Sequence, residues 1–306
     1  MKQKIINTFL ILTAMISTAQ EVKVSSGKVQ RLERFQSKYV DARNVDVWLP
    51  DGYSPDEKYA VLYMNDGQGL YDASTTWNHQ AWELDKAASK LIAENKTRKF
   101  IIVGIWNNGA KRHSEYFPQK PFESLPQKAQ DSLYAIGKDK KQPLFVGKIN
   151  SDNYLKFIVT ELKPFIDQLF STKTDAANTF IGGSSMGGLI SMYAICEYPE
   201  VFSGAACLST HWPGTFSTEN NLIPNAFIAY MKSHFPNPKN HKIYFDCGDQ
   251  TLDAVYKPLQ GKVDVVMKAK GFTAKNWITK FFPGKDHTEK SWAERVNIPL
   301  QFLLKK

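Results

Sequence analysis

The chain has 306 residues, of which 42% are hydrophobic, 13% aromatic and 23% charged. This composition excludes a disordered, collagen-like or disulfide-stapled chain, and the length suffices to bury a core without metal or disulfide support. The formal net charge is +9, and because the surplus of Lys and Arg is scattered, it predicts a solvated basic surface and no nucleic-acid partner.

The first residues follow the pattern of a secretory signal peptide. Lys2 and Lys4 precede an apolar stretch from Ile5 to Ile16, and Ser17-Thr18-Ala19 supplies small residues before a cut at Gln20. The stretch is too short to span a membrane, and the absence of a Cys near the cut argues against a lipid anchor. We therefore expect residues 1–19 to be removed on export to the periplasm or the medium, which leaves a mature chain with a charge of +7.

Short apolar runs alternate with helical patterns along the rest of the chain. Several runs are almost continuously apolar, as in strands whose sheet is covered on both faces. The alternation predicts an α/β three-layer sandwich with a mainly parallel central sheet of about eight strands, in one domain over residues 20–306. The runs that predict strands are Val45–Leu49, Tyr59–Met64, Phe100–Ile105, Thr179–Ile181, Gly204–Leu208, Ile243–Phe245 and Trp277–Phe282.

Two helices have clear sequence signatures. Asp152–Phe170 carries apolar residues at three- and four-residue steps, with Ser151 as the predicted N-cap and Pro164 predicting a kink or a break. A second helix is predicted over Ser185–Glu197. The segment of residues 109–150 is rich in Lys, Gln, Pro and Ser. This composition predicts a large surface insertion, which is either a wall of the active site or a tolerated loop.

The clearest chemical motif lies where a predicted strand meets a predicted helix. The sequence TFIGGSSMGGL contains one G-x-S-x-G register, formed by Gly183, Ser185 and Gly187. A nucleophile on such a sharp turn sits in strained backbone, and its neighbours must lack bulk so that strand and helix can approach closely. Ser185 is therefore the candidate nucleophile of a serine hydrolase.

A serine hydroxyl needs a general base, and the base needs an orienting acid. Of the four later histidines, His287 lies just past the last predicted strand, where a base would stand above the carboxyl ends of the strands. The acid is expected after the strand Ile243–Phe245, where Asp246, Asp249 and Asp253 are all candidates. Asp253 is favoured over Asp249, although each could instead cap a helix or stabilise a turn.

A tetrahedral intermediate needs two backbone N–H donors. One is expected from Met186, which follows the nucleophile, and the other from the early loop Met64-Asn-Asp-Gly-Gln-Gly69. Gly67 or Gln68 is the predicted donor in that loop, and we favour Gln68. A mechanism of this kind requires no metal and no organic cofactor.

Three cysteines occur in the chain, and none has the spacing of a zinc or redox motif. An exported protein could form a disulfide from them, so their pairing stays open. They are Cys196, Cys207 and Cys247.

Several segments together resemble the Putative esterase family of the α/β-hydrolases, which includes esterase D-like, enterochelin esterase-like, feruloyl and acetyl-xylan esterases. The similarity extends from about Asn44 to the end of the chain. The segments that carry it are Tyr63-Met-Asn-Asp-Gly-Gln-Gly-Leu-Tyr-Asp72, Gly183-Ser-Ser-Met-Gly-Gly-Leu-Ile190, Tyr198-Pro-Glu-Val-Phe202 and Gly284-Lys-Asp-His-Thr-Glu-Lys-Ser-Trp292.

The resemblance implies Ser185 as nucleophile and His287 as base, and it favours Asp253 as the acid. The chain departs from many relatives at Asn65, where they carry His, and at Asp249-Gln250, where they carry Thr-Glu. These departures leave the reacting side chains in place but leave the substrate open.

Two further segments are similar to pocket elements of the family, and they supply the candidate substrate-binding residues Arg112, Glu115, His211 and Trp212. Each could instead serve packing or a surface ion pair. The sequence thus predicts a secreted serine carboxylesterase whose partner is a small-molecule or carbohydrate ester. The alternatives are an acyltransferase or peptidase with the same triad, or an inactive hydrolase fold that binds carbohydrate.

Overall fold

The computed structural model describes residues 22–137 and 143–306, so the predicted signal peptide lies outside the described residues. The strands are β1 Lys28–Phe35, β2 Arg43–Leu49, β3 Ala60–Asn65, β4 Phe100–Ile105, β5 Thr179–Ser184, β6 Gly204–Leu208, β7 Lys242–Cys247 and β8 Trp277–Phe281. The α-helices are α1 Leu84–Ala93, α2 Arg112–Tyr116, α3 Gln119–Glu123, α4 Gln127–Tyr134, α5 Ser151–Phe157, α6 Lys163–Leu169, α7 Met186–Glu197, α8 Ile223–His234, α9 Tyr256–Ala269, α10 Glu289–Ala293 and α11 Asn297–Leu304.

The strands form one eight-stranded sheet in the order β1-β2-β4-β3-β5-β6-β7-β8. The pairs β1/β2 and β2/β4 are antiparallel, and every other pair is parallel. The predicted α/β sandwich with a mainly parallel sheet is confirmed. The edge strand β1 was not predicted, because its sequence KVQRLERF alternates exposed and half-buried positions and contains no apolar run.

The core lies on both faces of the sheet, which explains the continuous apolar runs. Alternate residues of β3 point to opposite sides: Val61 and Tyr63 join the cluster under helices α2 to α9, whereas Leu62 and Met64 join the one under α1, α10 and α11. All six residues of β3 are buried, so a strand in this position can carry no polar face.

The predicted helix over Asp152–Phe170 is continuous but changes its winding. A π-helical turn, Ile158–Leu162, joins α5 to α6 directly before Pro164, whose nitrogen cannot donate to a carbonyl one turn earlier. The predicted N-cap is wrong by one residue: Asn150 occupies the cap, because the Ser151 hydroxyl accepts the backbone N–H of Gln119 at 2.9 Å.

The insertion over residues 109–150 is folded in its described part. It contains α2, α3 and α4, and Phe117, Phe122 and Phe145 pack against one another there with ring centroids 5.3–6.5 Å apart. Within residues 22–137 and 143–306, no helix has the length and apolar character needed to cross a membrane.

Candidate active site

Ser185 lies at the sharp turn between β5 and α7, with φ 57° and ψ −122°. Its backbone N–H donates to the Leu208 carbonyl at 3.0 Å, which ties the turn to the end of β6. A Cβ on Gly183 would stand 2.8 Å from the carbonyl carbon of Gly187, so the motif glycines are required for strand and helix to come this close. The local geometry is that of a nucleophile elbow.

Asp253 and His287 are directly hydrogen-bonded. The imidazole Nδ1 lies 2.6 Å from Asp253 Oδ1, and the carboxyl group is fully buried. Because a carboxylate only accepts, the proton is on Nδ1 and Nε2 is free to accept one. Their loops touch at Gly248, where a Cβ would stand 2.0 Å from the Lys285 carbonyl oxygen.

The other two candidate acids, Asp249 and Asp246, contact groups other than the candidate base. Asp249 is at the surface, and hydrogen bonds from the Gln250 side chain at 2.9 Å and from the Gly284 N–H at 2.7 Å lower the pKa of its carboxyl. The bond to Gly284 also anchors the loop that carries the base. Asp246 is buried, and its oxygens accept from Arg295 at 3.1 and 3.2 Å and from the Tyr244 hydroxyl at 2.9 Å. Of the three, Asp253 is the one that contacts the candidate base.

The second oxygen of Asp253 is held by groups that the sequence did not reveal. It accepts from Ser209 Oγ and from the Gly248 N–H, both at 2.6 Å. Ser209 Oγ in turn accepts from Arg295 Nη2 at 2.9 Å and from Trp292 Nε1 at 3.0 Å. The carboxylate is therefore fixed on both oxygens, which orients the imidazole plane.

Tyr256 is a further neighbour of Ser185 that sequence reasoning missed. Its phenol lies 2.5 Å from His211 Nδ1, and the backbone N–H of His211 donates to the Ser185 carbonyl at 3.2 Å. Its ring packs edge-on against His287 with centroids 5.7 Å apart. Among the described residues, no hydrogen bond joins the Ser185 hydroxyl to His287.

Burial keeps both members of the Tyr256–His211 pair uncharged. It raises the pKa of Tyr256 well above its usual range and lowers that of His211 well below, the latter with help from the nearby His113, His287 and Arg112. A neutral phenol and a neutral imidazole can form one hydrogen bond with each other, and this bond fixes their relative orientation.

The predicted oxyanion donors lie on either side of the nucleophile. Met186 is the first residue of α7, and the leading N–H groups of a helix have no intrahelical acceptor. Gln68 is the middle residue of the 3₁₀ turn Gly67–Gly69 after β3, and its side chain accepts the Asn107 N–H at 3.2 Å. Both belong to elements that begin at the carboxyl ends of central strands.

Asn65, the last residue of β3, links α7 to the strand that precedes the 3₁₀ turn. Its side-chain nitrogen donates to the Gly182 carbonyl at 3.1 Å and to Ser191 Oγ at 3.0 Å, and its oxygen accepts from the Tyr154 hydroxyl at 2.7 Å. The residue that departs from the family's usual His thus links β3 to β5 and α7.

The four candidate substrate-binding residues separate into two groups. Arg112 keeps an exposed face beside the site and forms a two-pronged ion pair with Asp66 at 2.6 and 2.7 Å, and His211 is the partner of Tyr256. Glu115 and Trp212 point into the core. Two bonds of 2.8 Å pair Glu115 with Arg43, and the Trp212 indole donates to Gln260 at 2.9 Å, so neither side chain is available to a substrate.

The three cysteines are unpaired and buried. Burial raises the pKa of each thiol, so none is an activated thiolate. No group of three or more His, Cys, Asp or Glu residues within 22–137 and 143–306 could hold a metal ion.

A profile of the Putative esterase family matches residues 38–297 of this chain. The chain belongs to this family. It is a carboxylic ester hydrolase with an α/β-hydrolase fold, as the resemblance in the sequence implied.

Relatives of the esterase share its fold at low identity. An endo-1,4-β-xylanase/feruloyl esterase of Xylanibacter ruminicola is 25% identical over 92% of this chain, which spans 32% of that longer protein. An IroE-like serine hydrolase from Shewanella oneidensis superposes with a TM-score of 0.67 at 20% identity, over 90% of this chain and 80% of that one. A ferulic acid esterase from Anaeromyces mucronatus, solved with ferulic acid, gives 0.60 at 18% identity, over 94% and 95%.

Proposed function

We propose that this esterase is an exported serine carboxylesterase that removes acyl groups from carbohydrate. Ser185 is the nucleophile, His287 the base and Asp253 the acid that holds the imidazole. The observation that carries the proposal is that the Asp253–His287 pair, bonded at 2.6 Å, and Ser185, at φ 57°, both adjoin the Tyr256–His211 pair.

In acylation, the Ser185 hydroxyl attacks the ester carbonyl while His287 Nε2 takes its proton. The oxyanion accepts hydrogen bonds from the N–H groups of Met186 and Gln68. His287 then gives the proton to the leaving alkoxide, and the acyl group stays on Ser185. In deacylation, His287 takes a proton from water as the water oxygen attacks the acyl carbon. His287 then returns that proton to the Ser185 oxygen, and the carboxylic acid and the free serine are released.

Acylated carbohydrate is proposed as substrate on two grounds. The Xylanibacter ruminicola relative is a xylanase/feruloyl esterase by name, and the Anaeromyces mucronatus enzyme was solved with ferulic acid. The site of this chain also has an exposed apolar rim. Phe216, 55% exposed, lies 5.9 Å from the His211 ring, and Leu252 and Val255 flank the acid at 39% and 43% exposure. Such a rim suits an apolar or aryl acyl group.

Arg112 and His211 remain in the proposed set of substrate-binding residues, whereas Glu115 and Trp212 are removed from it.

The proposal of export rests on the signal pattern of residues 1–19. We propose one catalytic domain over residues 20–306.

Ser185→Ala is expected to abolish hydrolysis of a short p-nitrophenyl ester, because the alanine cannot form the acyl-enzyme. The loss should be about 10³-fold or more in kcat, with the circular dichroism spectrum and the melting temperature retained. The measurement is the initial rate, paired with labelling by a fluorophosphonate probe. Full turnover in this variant, or wild-type protein that is folded but does not react with the probe, would refute the proposal.

The two candidate acids of the loop after β7, the buried Asp253 and the surface Asp249, provide a matched comparison. Asp253→Asn should remove most of the activity, since the amide cannot hold the same imidazole tautomer, whereas Asp249→Asn should retain it within a few-fold. The reverse order would reassign the acid.

A further inference from the structure

Tyr256 lies beside the candidate base and next to the residue that bonds to the nucleophile's backbone. It is the first residue of α9 and is 1% exposed. Its hydroxyl contacts His211 Nδ1 at 2.5 Å, the His211 N–H donates to the Ser185 carbonyl at 3.2 Å, and the Tyr256 ring stands at 84° to the His287 ring. The G-x-S-x-G mechanism assigns no role to this phenol or to the imidazole behind it.

The direction of the hydrogen bond between Tyr256 and His211 follows from the tautomer of the imidazole. His211 Nε2 is buried and has no hydrogen-bond partner among the described residues. In the tautomer with its proton on Nε2, Nδ1 accepts the only proton of the phenol. The lone pairs of the phenol oxygen are then left to accept a further hydrogen bond.

The phenol ring packs against the residue that is proposed to protonate the departing alcohol. His287 delivers the proton to the leaving oxygen, and Tyr256 packs against that imidazole. The proposed oxyanion donors, Met186 and Gln68, belong to α7 and to the turn after β3 instead. A group that meets the phenol oxygen therefore belongs to the alcohol part of the ester.

We propose that Tyr256 is a specificity-determining residue that accepts a hydrogen bond from a free hydroxyl next to the scissile ester, and that His211 is the residue that positions it. The substrate class is a partly acylated polyol, such as a sugar with an unmodified hydroxyl beside the esterified one. The inference rests on the proposed function, because it takes Ser185 and His287 as the reacting groups.

The reaction needs no co-reactant in this arrangement. His287 Nε2 takes the Ser185 proton as the oxygen attacks the ester carbonyl and gives it to the leaving alkoxide, which departs as the alcohol. Tyr256 keeps its own proton in the hydrogen bond to His211 throughout.

The test compares two esters that differ only in the neighbouring hydroxyl, 2-hydroxyethyl benzoate and 2-methoxyethyl benzoate. The wild-type enzyme should prefer the hydroxy ester by about three- to tenfold in kcat/KM, the value of one neutral hydrogen bond. Tyr256→Phe should bring the ratio close to one. Tyr63→Phe is the matched control, because its buried phenol has no hydrogen-bond partner within residues 22–137 and 143–306, and it should leave the ratio unchanged.

His211 is tested with the same pair of esters. His211→Gln retains an acceptor for the phenol and should preserve part of the preference, whereas His211→Leu should abolish it. Both substitutions remove the imidazole. A preference that survives with Gln and is lost with Leu therefore shows that His211 acts by orienting the phenol and not only by packing.

A wild-type ratio of one, or a ratio that survives in Tyr256→Phe, overturns the inference. If the wild type cleaves both esters equally and Ser185→Ala is inactive, the proposed function stands and the role of Tyr256 fails. If Ser185→Ala cleaves these esters like the wild type, the proposed function itself fails.

Discussion

Single side chains of the site are held by more partners than a triad requires. Ser209 donates to Asp253 and accepts from Trp292 and Arg295, and it does so at φ 40°, a left-handed conformation that costs energy for a residue with a Cβ. Arg295 also binds Asp246, whose pKa burial raises and the guanidinium lowers. The hydrogen bonds of this network offset the strain at Ser209 and hold the Asp253 carboxylate in one orientation.

Ser209→Ala tests that network. The variant removes one donor to Asp253 and leaves the Trp292 and Arg295 donors without their acceptor. We expect kcat/KM for a p-nitrophenyl ester to fall by about tenfold and the free energy of unfolding by about 1–3 kcal/mol. The measurements are steady-state kinetics and urea unfolding. Ser233→Ala is the control, because that hydroxyl is exposed and bonds to a helix carbonyl. Unchanged kinetics would show that the second oxygen of Asp253 needs no side-chain donor.

At the scale of elements, a buried ion pair joins the insertion to the sheet. Arg43 of β2 and Glu115 of α2 meet through two bonds of 2.8 Å, with both side chains at most 3% exposed, and the guanidinium lies over the Tyr154 ring of α5. Arg112, three residues earlier in the chain, points the other way toward Asp66 and the site. The helix α2 thus places one charged residue in the core and one beside the nucleophile.

Glu115→Ala is expected to destabilise the fold without impairing the chemistry. Removing one partner leaves the Arg43 charge buried and unpaired, which costs about 3–5 kcal/mol in the free energy of unfolding. The measurement is urea unfolding together with kcat/KM at a temperature where the variant is folded.

Lys111→Ala breaks the exposed Lys111–Asp41 pair nearby and serves as the control, with an expected cost of about 0–1 kcal/mol. A Glu115→Ala variant with wild-type stability but much lower kcat/KM would return Glu115 to the substrate-binding residues.

At the scale of the whole molecule, the site is assembled at one edge of the sheet. Gln68 follows β3, Ser185 follows β5, His211 follows β6, Asp253 follows β7 and His287 follows β8. These strands are parallel, so their carboxyl ends meet at the same edge, where the loops converge. The three cysteines are buried in the packed interior, and Cys247 ends β7 directly before the loop that carries the acid.

The thiols provide a test of that interior. Because burial raises the pKa of Cys196, Cys207 and Cys247, a disulfide-forming thiol reagent should label none of them in the native protein and all three in guanidinium chloride. Reducing agent should leave the melting temperature unchanged. A melting temperature that falls on reduction would reveal a disulfide and contradict the unpaired arrangement.

The sequence by itself determined the features that depend on near neighbours in the chain. The six central strands are buried along almost their whole length and the edge strand β8 carries an apolar run, so seven of the eight strands were visible. The edge strand β1 was not, because charged residues interrupt its sequence. The turn at Ser185 excludes bulky neighbours, so its glycines marked it. The parallel order of the strands followed from their alternation with helices.

Only the tertiary structure decided which distant groups touch. It paired His287 with Asp253 rather than Asp246 or Asp249, because Gly248 lets the two loops meet and Arg295 occupies Asp246. It turned Glu115 and Trp212 inward, since Arg43 and Gln260 offer buried partners there. It also brought Tyr256 and Ser209 to the site. Such contacts depend on the packing of loops from separate strands, which no local pattern in the chain encodes.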